Sequence, residues 1–239
     1  DAWPVRSEAF RQWVIEDRFS AGRPAFDQVG VQIVPDVAPY EKMKLRLLNA
    51  SHQVMSYLGA LAGFTYVHEF CRDPEFADFL LGYLHAEAIP TLDPVPGIDL
   101  TAYCRSLIER FSSEAILDTL ARQTVDASVR MPTFVLPVLR DRLAAGGDIR
   151  RATLAVAAWS RYLEGTTDAG APLATSPDRR HAELLAAVRA ERQTPGAFLD
   201  QPEVFGELGR DPRFRSAFMT ARAELADRGA RAAAVSLGG

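Results

Sequence analysis

Residues 39–62 constrain the fold of this chain more than any other segment. Pro39 suits the first turn of a helix and Gly63 suits the position just after its end. Between them, apolar residues recur on nearly every side of the predicted helix instead of along one stripe. They are Met43, Leu45, Leu47, Leu48, Ala50, Val54, Met55, Leu58, Ala60 and Leu61. A helix that is apolar all round must be buried, so other elements of the chain must surround it.

Most of the remaining segments also predict helices, so the predicted fold class is mainly α and multi-helical. Helices are expected to start at Asp73, Asp99 and Asp211, because an aspartate at these positions can cap the first turn. Further helices are predicted over residues 113–125, 132–145 and 148–164, and one more opens at Ser176. Residues 228–239 are rich in alanine and glycine and are predicted to fray.

Residues 1–35 differ from the rest and predict a short β lead-in to a helical domain over residues 36–239. Residues 13–15 and 29–34 are short strand-like runs, and residues 19–24 have the composition of a turn. Two short strands do not form a stable sheet alone. We therefore expect this lead-in to complete a sheet, or to line an interface, with a part of the protein outside this chain.

Charge and cysteine content exclude several classes of function. A net charge of −4 without a basic stripe argues against binding to nucleic acid or to an anionic membrane surface. No apolar run reaches the roughly 20 residues of a membrane span. Two cysteines without CxxC spacing suggest a reducing cytoplasm. The sequence contains no cluster of histidines and cysteines, so it does not predict a metal site. No GxGxxG turn is present, so a dinucleotide site, if there is one, lies elsewhere.

Three polar residues interrupt the apolar helix: Lys44, Asn49 and His52. Each alone has an ordinary structural explanation, as a surface lysine, a tie between helices and a satisfied core histidine. Together they predict a site for proton transfer. Burial and the positive end of the helix would both favour a neutral lysine, which can act as a base. Asparagine can donate a hydrogen bond to an alkoxide, and histidine can hold a hydroxyl.

The same stretch, residues 40–52, resembles the catalytic helix of the long-chain mannitol dehydrogenase family. That family has a KxxxxNxxH motif, which Lys44, Asn49 and His52 match in type and spacing. Resemblance extends through residues 10–17, 66–69, 94–100 and 143–151, and it weakens after about Thr166. The motif with these flanks is specific to the family.

The resemblance implies a metal-independent dehydrogenase that uses NAD or NADP. It implies a C-terminal domain like that of 6-phosphogluconate dehydrogenase, and an N-terminal Rossmann-like half outside this chain that binds most of the cofactor. Lys44 would be the general base, Asn49 part of the oxyanion hole, and His52 a ligand of the polyol. The family also places an arginine, and eight residues later a lysine, in the substrate pocket. Here these positions are Arg122 and Arg130.

The predicted function is the catalytic and substrate-binding half of an enzyme that interconverts mannitol and fructose. Arg130 stands where the family usually has lysine, and arginine differs from lysine in reach and in hydrogen-bonding geometry. Another polyol dehydrogenase, or a hexuronate reductase in which Arg130 binds the carboxylate, is therefore an alternative. A catalytically silent helical domain that binds another chain is a further alternative. Neither the choice between NAD and NADP nor the oligomeric state follows from this sequence.

Overall fold

The computed structural model describes residues 2–4 and 7–238. It is mainly helical, with a single pair of short strands in the described residues, as the sequence predicts. The strands are β1 (Val14–Glu16) and β2 (Gln32–Val34). The helices are α1 (Ala38–Lys44), α2 (Ala50–Leu61), α3 (Val67–Arg72), α4 (Pro74–Tyr83), α5 (Leu100–Phe111), α6 (Leu120–Gln123), α7 (Ala127–Arg130), α8 (Leu136–Ala144), α9 (Arg150–Tyr162), α10 (His181–Glu191), α11 (Pro202–Phe205) and α12 (Pro212–Val235).

The predicted all-apolar helix lies at the centre of the fold. Every residue of α2 except His52 is buried. Its main helical neighbours are α9 and α6, and α12 covers the other side of α9. Aromatic side chains fill the space around Trp159, which contacts Tyr57, Phe198 and Phe205. The prediction of burial is confirmed, because no face of this helix carries enough polar surface to meet water.

The central helix is not a regular α-helix throughout, contrary to the prediction. A π-helical turn over Leu45–Asn49 separates α1 from α2. Two more such turns, Leu84–Ala88 and Met131–Val135, follow α4 and α7. A π-turn adds one residue to a helical turn and shifts the faces on either side of it. Apolar periodicity does not reveal such a shift where the helix is apolar all round.

Two predictions about helix extent were wrong. Residues 113–119 form turns, and only Leu120–Gln123 is helical, because Tyr66 and Thr119 form an antiparallel bridge that uses the backbone differently. The tail does not fray: α12 reaches Val235, and Ala230, Ala233 and Ala234 are buried. The carboxylate of Asp168 accepts the N–H of Ala230 at 2.6 Å and restarts the helix after Gly229. Residue 239 of that predicted tail lies outside the described residues.

Several helix starts also differ from the sequence prediction. Asp73, Asp99 and Asp211 cap their helices as expected. The helix expected to open at Ser176 begins instead at His181. Helix α3 was not anticipated, because its single short turn carries no apolar periodicity. Among the described residues, no helix is long and apolar enough to cross a membrane.

The β lead-in forms a two-stranded parallel pair in which Val14, Ile15 and Glu16 lie opposite Gln32, Ile33 and Val34. Neither strand pairs with a further strand in the described part of the chain, and Trp13 (58% exposed) and Val29 (74% exposed) face solvent. On the helical side, Arg110 donates from Nε and Nη2 to the two carboxylate oxygens of Glu8, each at 2.7 Å. Residues 1, 5 and 6 of the lead-in lie outside the described residues. The division into a lead-in and a helical domain stays a prediction.

A buried glutamate takes the place of a cap at the start of α9. Ile149, the residue before this helix, has no side chain that can bond the free N–H groups. Glu87, which is fully buried, accepts the N–H of Arg151 at 2.7 Å and that of Ala152 at 2.9 Å. Burial raises the pKa of Glu87 to about 7, and the two N–H bonds oppose this only in part.

This pKa predicts a pH-dependent stability. Because the folded protein binds the proton more tightly than an unfolded chain with a glutamate pKa of 4.5, the contribution of Glu87 is largest below that pH. It is lost as the pH rises through about 7, by about 3 kcal/mol at most. In Glu87→Gln this component is absent. Urea midpoints at several pH values from 4.5 to 8 test it, and parallel profiles for parent and variant would contradict the expectation.

Candidate active site

The π-turn brings two of the predicted site residues to one face. In a regular α-helix, at about 100° per residue, Lys44 and Asn49 would lie roughly 140° apart. In the π-turn, the N–H of Ala50 bonds to the carbonyl of Leu45, five residues back. Residues five apart therefore lie closer to a common face than they do in a regular α-helix. Lys44 directly precedes this turn and Asn49 is its last residue, so the two are also five apart, and both line the same hollow.

All five predicted site residues border one hollow of about 300 Å³. Its walls come from the central helix, from α6 and α7, and from the π-turn after α7. The residues that line it are Lys44, Leu48, Asn49, His52, Gln53, Arg122, Gln123, Arg130 and Phe134. A smaller hollow of about 250 Å³ adjoins it and shares Leu48, His52 and Arg122. The fold thus brings together residues from 44 to 130 that the sequence placed in two separate segments.

Lys44 differs from the expectation in one respect. Its side chain is exposed, although its place on an apolar helix predicted burial. It lies at the C-terminal end of α1, beside the open side of the hollow. Within the described residues, its amine makes no hydrogen bond and no ion pair. The amine is therefore free to meet a ligand in the hollow, but this chain alone does not desolvate it.

Asn49 is the last residue of the π-turn, and its side chain borders the hollow without being satisfied by the protein. Its Oδ1 position is buried and has no hydrogen-bond partner in the described part of the chain. Oxygen and nitrogen of such an amide are exchangeable by a flip, which the hydrogen-bond network would normally decide. An unsatisfied buried amide costs free energy unless a ligand or water bonds to it. This makes Asn49 a candidate ligand-binding group.

His52 is largely buried, and its ring lies 4.8 Å from that of Phe111, measured between centroids. Burial is the main reason that the pKa of His52 falls to about 4. The charge of Asp118 acts against this decrease, and the cations around the hollow act with it. At neutral pH the imidazole is therefore uncharged, with one nitrogen that donates and one that accepts a hydrogen bond.

The two arginines are connected by a network that sequence reasoning missed. Arg122 donates to both oxygens of Asp118, at 2.7 and 2.8 Å. Gln123 donates to Asp118 at 2.7 Å, and Arg130 donates to the backbone carbonyl of Gln123 at 3.2 Å. Gln53 donates to the same carbonyl at 2.9 Å. The i,i+4 spacing of Asp118 and Arg122 could have signalled the first pair, but nothing in the sequence signals the others.

Burial is the largest single effect on the pKa of Asp118, and on its own it would raise this pKa. Hydrogen bonds from Arg122 and Gln123, together with the charge of Arg122, outweigh this effect and hold the pKa below its ordinary value. Asp118 is therefore ionised at neutral pH. Elsewhere in the described residues, no group of three His, Cys, Asp or Glu side chains could hold a metal ion.

Comparison with known proteins places these features in a family. The model for the C-terminal domain of mannitol dehydrogenases matches residues 36–226. The mannitol 2-dehydrogenase of Aspergillus niger is 42% identical over 230 residues, which are 95% of this chain and 47% of that protein. The chain thus spans about half the length of the curated relatives that it matches.

Two solved structures share the fold. One is the Pseudomonas fluorescens mannitol 2-dehydrogenase in a ternary complex with NAD and D-mannitol, with a TM-score of 0.90 and 42% identity over 99% of this chain and 48% of that one. The other is a D-sorbitol dehydrogenase in substrate-free form, with a TM-score of 0.86 and 30% identity over 94% of this chain and 46% of that one. This chain therefore belongs to the family of mannitol dehydrogenase C-terminal domains.

Proposed function

We propose that this chain is the substrate-binding and catalytic half of an NAD-dependent polyol dehydrogenase that interconverts mannitol and fructose in the cytoplasm. One observation carries the proposal: Lys44, Asn49 and His52 line one hollow together with two arginines. The related Pseudomonas fluorescens enzyme binds NAD and D-mannitol, which supports the choice of cofactor and substrate. The reaction requires removal of a hydroxyl proton and stabilisation of the resulting oxyanion.

Lys44 is the proposed general base. As a neutral amine it accepts the proton of the reacting hydroxyl, which lies in the hollow within reach of its side chain. Asn49 donates a hydrogen bond from its amide to the same oxygen as negative charge develops there. The position of Asn49 in the wall of the hollow, together with Lys44, supports this role. The amine of Lys44 and the amide of Asn49 act on the same hydroxyl oxygen, so both side chains must lie on the same face of the helix.

His52, Arg122 and Arg130 bind the remaining hydroxyls of the sugar. The neutral imidazole of His52 can donate to one hydroxyl and accept from another. Arg130 makes no ion pair within the described residues and presents nitrogens toward the hollow, so it can donate to an oxygen of the substrate. Arg122 keeps donor capacity beyond its contact with Asp118. No metal ion takes part in the proposed reaction.

The cofactor is bound mainly by a second, N-terminal Rossmann-like half, which is this chain's proposed partner. NAD, when bound there, would supply the acceptor for the hydride from the carbon that carries the reacting hydroxyl. The nicotinamide would have to reach the carbon that Lys44 and Asn49 are proposed to flank. The open side of the hollow, where Lys44 is exposed, supports this fit. Closure of that side by the second half would exclude water from Lys44 and from the reacting hydroxyl.

A substrate panel on the intact enzyme tests the proposal. NADH formation is measured with D-mannitol and D-sorbitol, and NADH consumption with fructose and a hexuronate; NADP and NADPH are run in parallel. We expect the highest kcat/KM with D-mannitol and fructose, and with NAD. Preference for D-sorbitol would change the substrate but keep the reaction class.

One observation favours the hexuronate alternative enough to test it: Arg130 is a cation without an acidic partner in the described residues, and a carboxylate would satisfy it. Preferred reduction of the hexuronate would therefore identify Arg130 as its partner. No turnover with any member of the panel would contradict the enzyme proposal and would favour a silent interaction domain.

A further inference from the structure

Asp118 lies between the two hollows and is held rigidly by its backbone. Its carbonyl accepts the N–H of Val67 at 3.0 Å, and the N–H of Leu120 bonds to the carbonyl of Thr65 at 2.9 Å. These bonds belong to the antiparallel bridge between Tyr66 and Thr119. The Asp118 side chain is only 12% exposed. A carboxylate in this setting has little freedom to move.

Both oxygens of Asp118 are occupied by groups that border the hollow. Arg122 approaches side-on with two nitrogens, which fixes the plane of its guanidinium relative to the carboxylate. Gln123 donates its amide to Oδ2 of Asp118 at 2.7 Å, and this fixes which end of the amide points away from the carboxylate. The amide oxygen of Gln123 is thereby left to face a donor.

That donor is Arg130. One of its terminal nitrogens lies 3.4 Å from Oε1 of Gln123 and 3.2 Å from the Gln123 carbonyl. Gln53 donates to the same carbonyl, and Tyr57 in turn donates to Gln53 at 3.1 Å. The orientation of Gln123 is therefore set on one side by Asp118 and on the other by the buried face of α2. Through Gln123, Asp118 reaches the second arginine without touching it.

The charges around the hollow also indicate a role for Asp118 in holding the two arginines. Arg122 and Arg130 carry two positive charges into a hollow that also holds Lys44, and His52 is neutral. Among the described residues that line the two hollows, the only other carboxylate is that of Glu8, which is paired with Arg110. Asp118 is therefore the acidic group that both fixes the pocket arginines and limits their mutual repulsion.

We infer that Asp118 is a positioning residue that holds Arg122 directly, and Arg130 through Gln123, in the orientation in which they bind the hydroxyls of the sugar. This inference rests on the proposed function. It implies that Asp118 sets the affinity for the polyol and not the rate of proton transfer, since Lys44 and Asn49 do not contact it. Asparagine at this position keeps the shape but presents an N–H group toward a donor, so the double contact with Arg122 cannot form.

The test compares Asp118→Asn with the parent in the intact enzyme. We expect the KM for mannitol to rise about ten-fold or more, while kcat at saturation stays within about three-fold and the KM for NAD is unchanged. Asp118→Glu keeps the charge but displaces it, and a smaller rise in KM is expected. A purely structural role would lower the fraction of active enzyme, which decreases the apparent kcat and leaves KM unaltered.

Asp148→Asn is the matched control. Arg150 likewise donates from Nε and Nη2 to both carboxylate oxygens of Asp148. This pair borders a different hollow. Its variant should keep the parent KM for mannitol. An active parent whose Asp118→Asn variant keeps its KM within two-fold would overturn the inference while leaving the proposed function intact. If the asparagine variant does not fold, an unchanged KM in Asp118→Glu has the same consequence. A parent without polyol oxidation would overturn both.

Discussion

Replacing Lys44 by alanine in the intact enzyme is expected to lower kcat for mannitol oxidation by about 10²–10⁴-fold, the usual contribution of a general base. The reacting hydroxyl would then lose its proton to water or to a poorly placed group. In the parent, oxidation falls at low pH because a protonated Lys44 cannot accept the proton. The variant should lose this part of the pH profile. Steady-state kinetics over a range of pH measure both effects.

Lys42 offers a control on the same helix. Its amine pairs with Asp93 at 3.1 Å and does not line the hollow. Lys42→Ala should therefore keep the kcat and the pH profile of the parent. A small primary amine added to Lys44→Ala should restore part of the activity by occupying the vacated space, and should do nothing for Lys42→Ala. Near-normal kcat with an unchanged pH dependence in Lys44→Ala would show that the base is another group.

Removal of the Asn49 amide should produce the second largest loss. Asn49→Ala is expected to decrease kcat by roughly 10²–10³-fold, as the loss of one oxyanion-hole donor does. The KM for mannitol should change much less, since the bond strengthens as the alkoxide develops and not in the ground state. The structural cost should be small, because the buried Oδ1 position of Asn49 has no partner in the described residues that would be left unpaired.

Asn49→Asp separates the donor from the shape of the side chain. Aspartate is nearly isosteric but, when ionised, it only accepts hydrogen bonds and repels the developing oxyanion. Its kcat should therefore be at least as low as that of the alanine variant. Activity of Asn49→Asp close to that of the parent would contradict a role as donor. A rise in KM at constant kcat in both variants would make Asn49 a ground-state ligand of the polyol instead.

Apolar pattern was sufficient to identify the central helix. A segment without a polar face can only be an interior helix, so the burial of α2 followed from residue types alone. The same reasoning made Lys44, Asn49 and His52 conspicuous, because polar groups on such a helix require a partner or a ligand. The spacing of these three residues also carried the family resemblance, which the comparison with mannitol dehydrogenase C-terminal domains confirms.

Contacts between distant segments decided the structure of two segments for which the apolar pattern of the sequence was not sufficient. Residues 113–119 have a helical composition, yet the bridge between Tyr66 and Thr119 takes up their backbone groups. The tail was expected to fray because it is terminal and rich in alanine and glycine. It is helical since Asp168 caps it and the body of the fold buries its alanines. In the first case long-range contacts outweigh a local helix preference of a few tenths of a kcal/mol per residue, and in the second they add to the helix preference of alanine.

The candidate site itself was determined at both levels. Residue types and spacing in the sequence determined which side chains can perform the chemistry, since those depend only on covalent structure. Their mutual geometry depended on the tertiary structure. The π-turn at Leu45–Asn49 aligns Lys44 with Asn49, and the network around Asp118 and Gln123 brings Arg122 and Arg130 to the same hollow. A helix that is apolar all round does not specify where an extra residue enters it, so the packing of the surrounding helices decides where the π-turn lies.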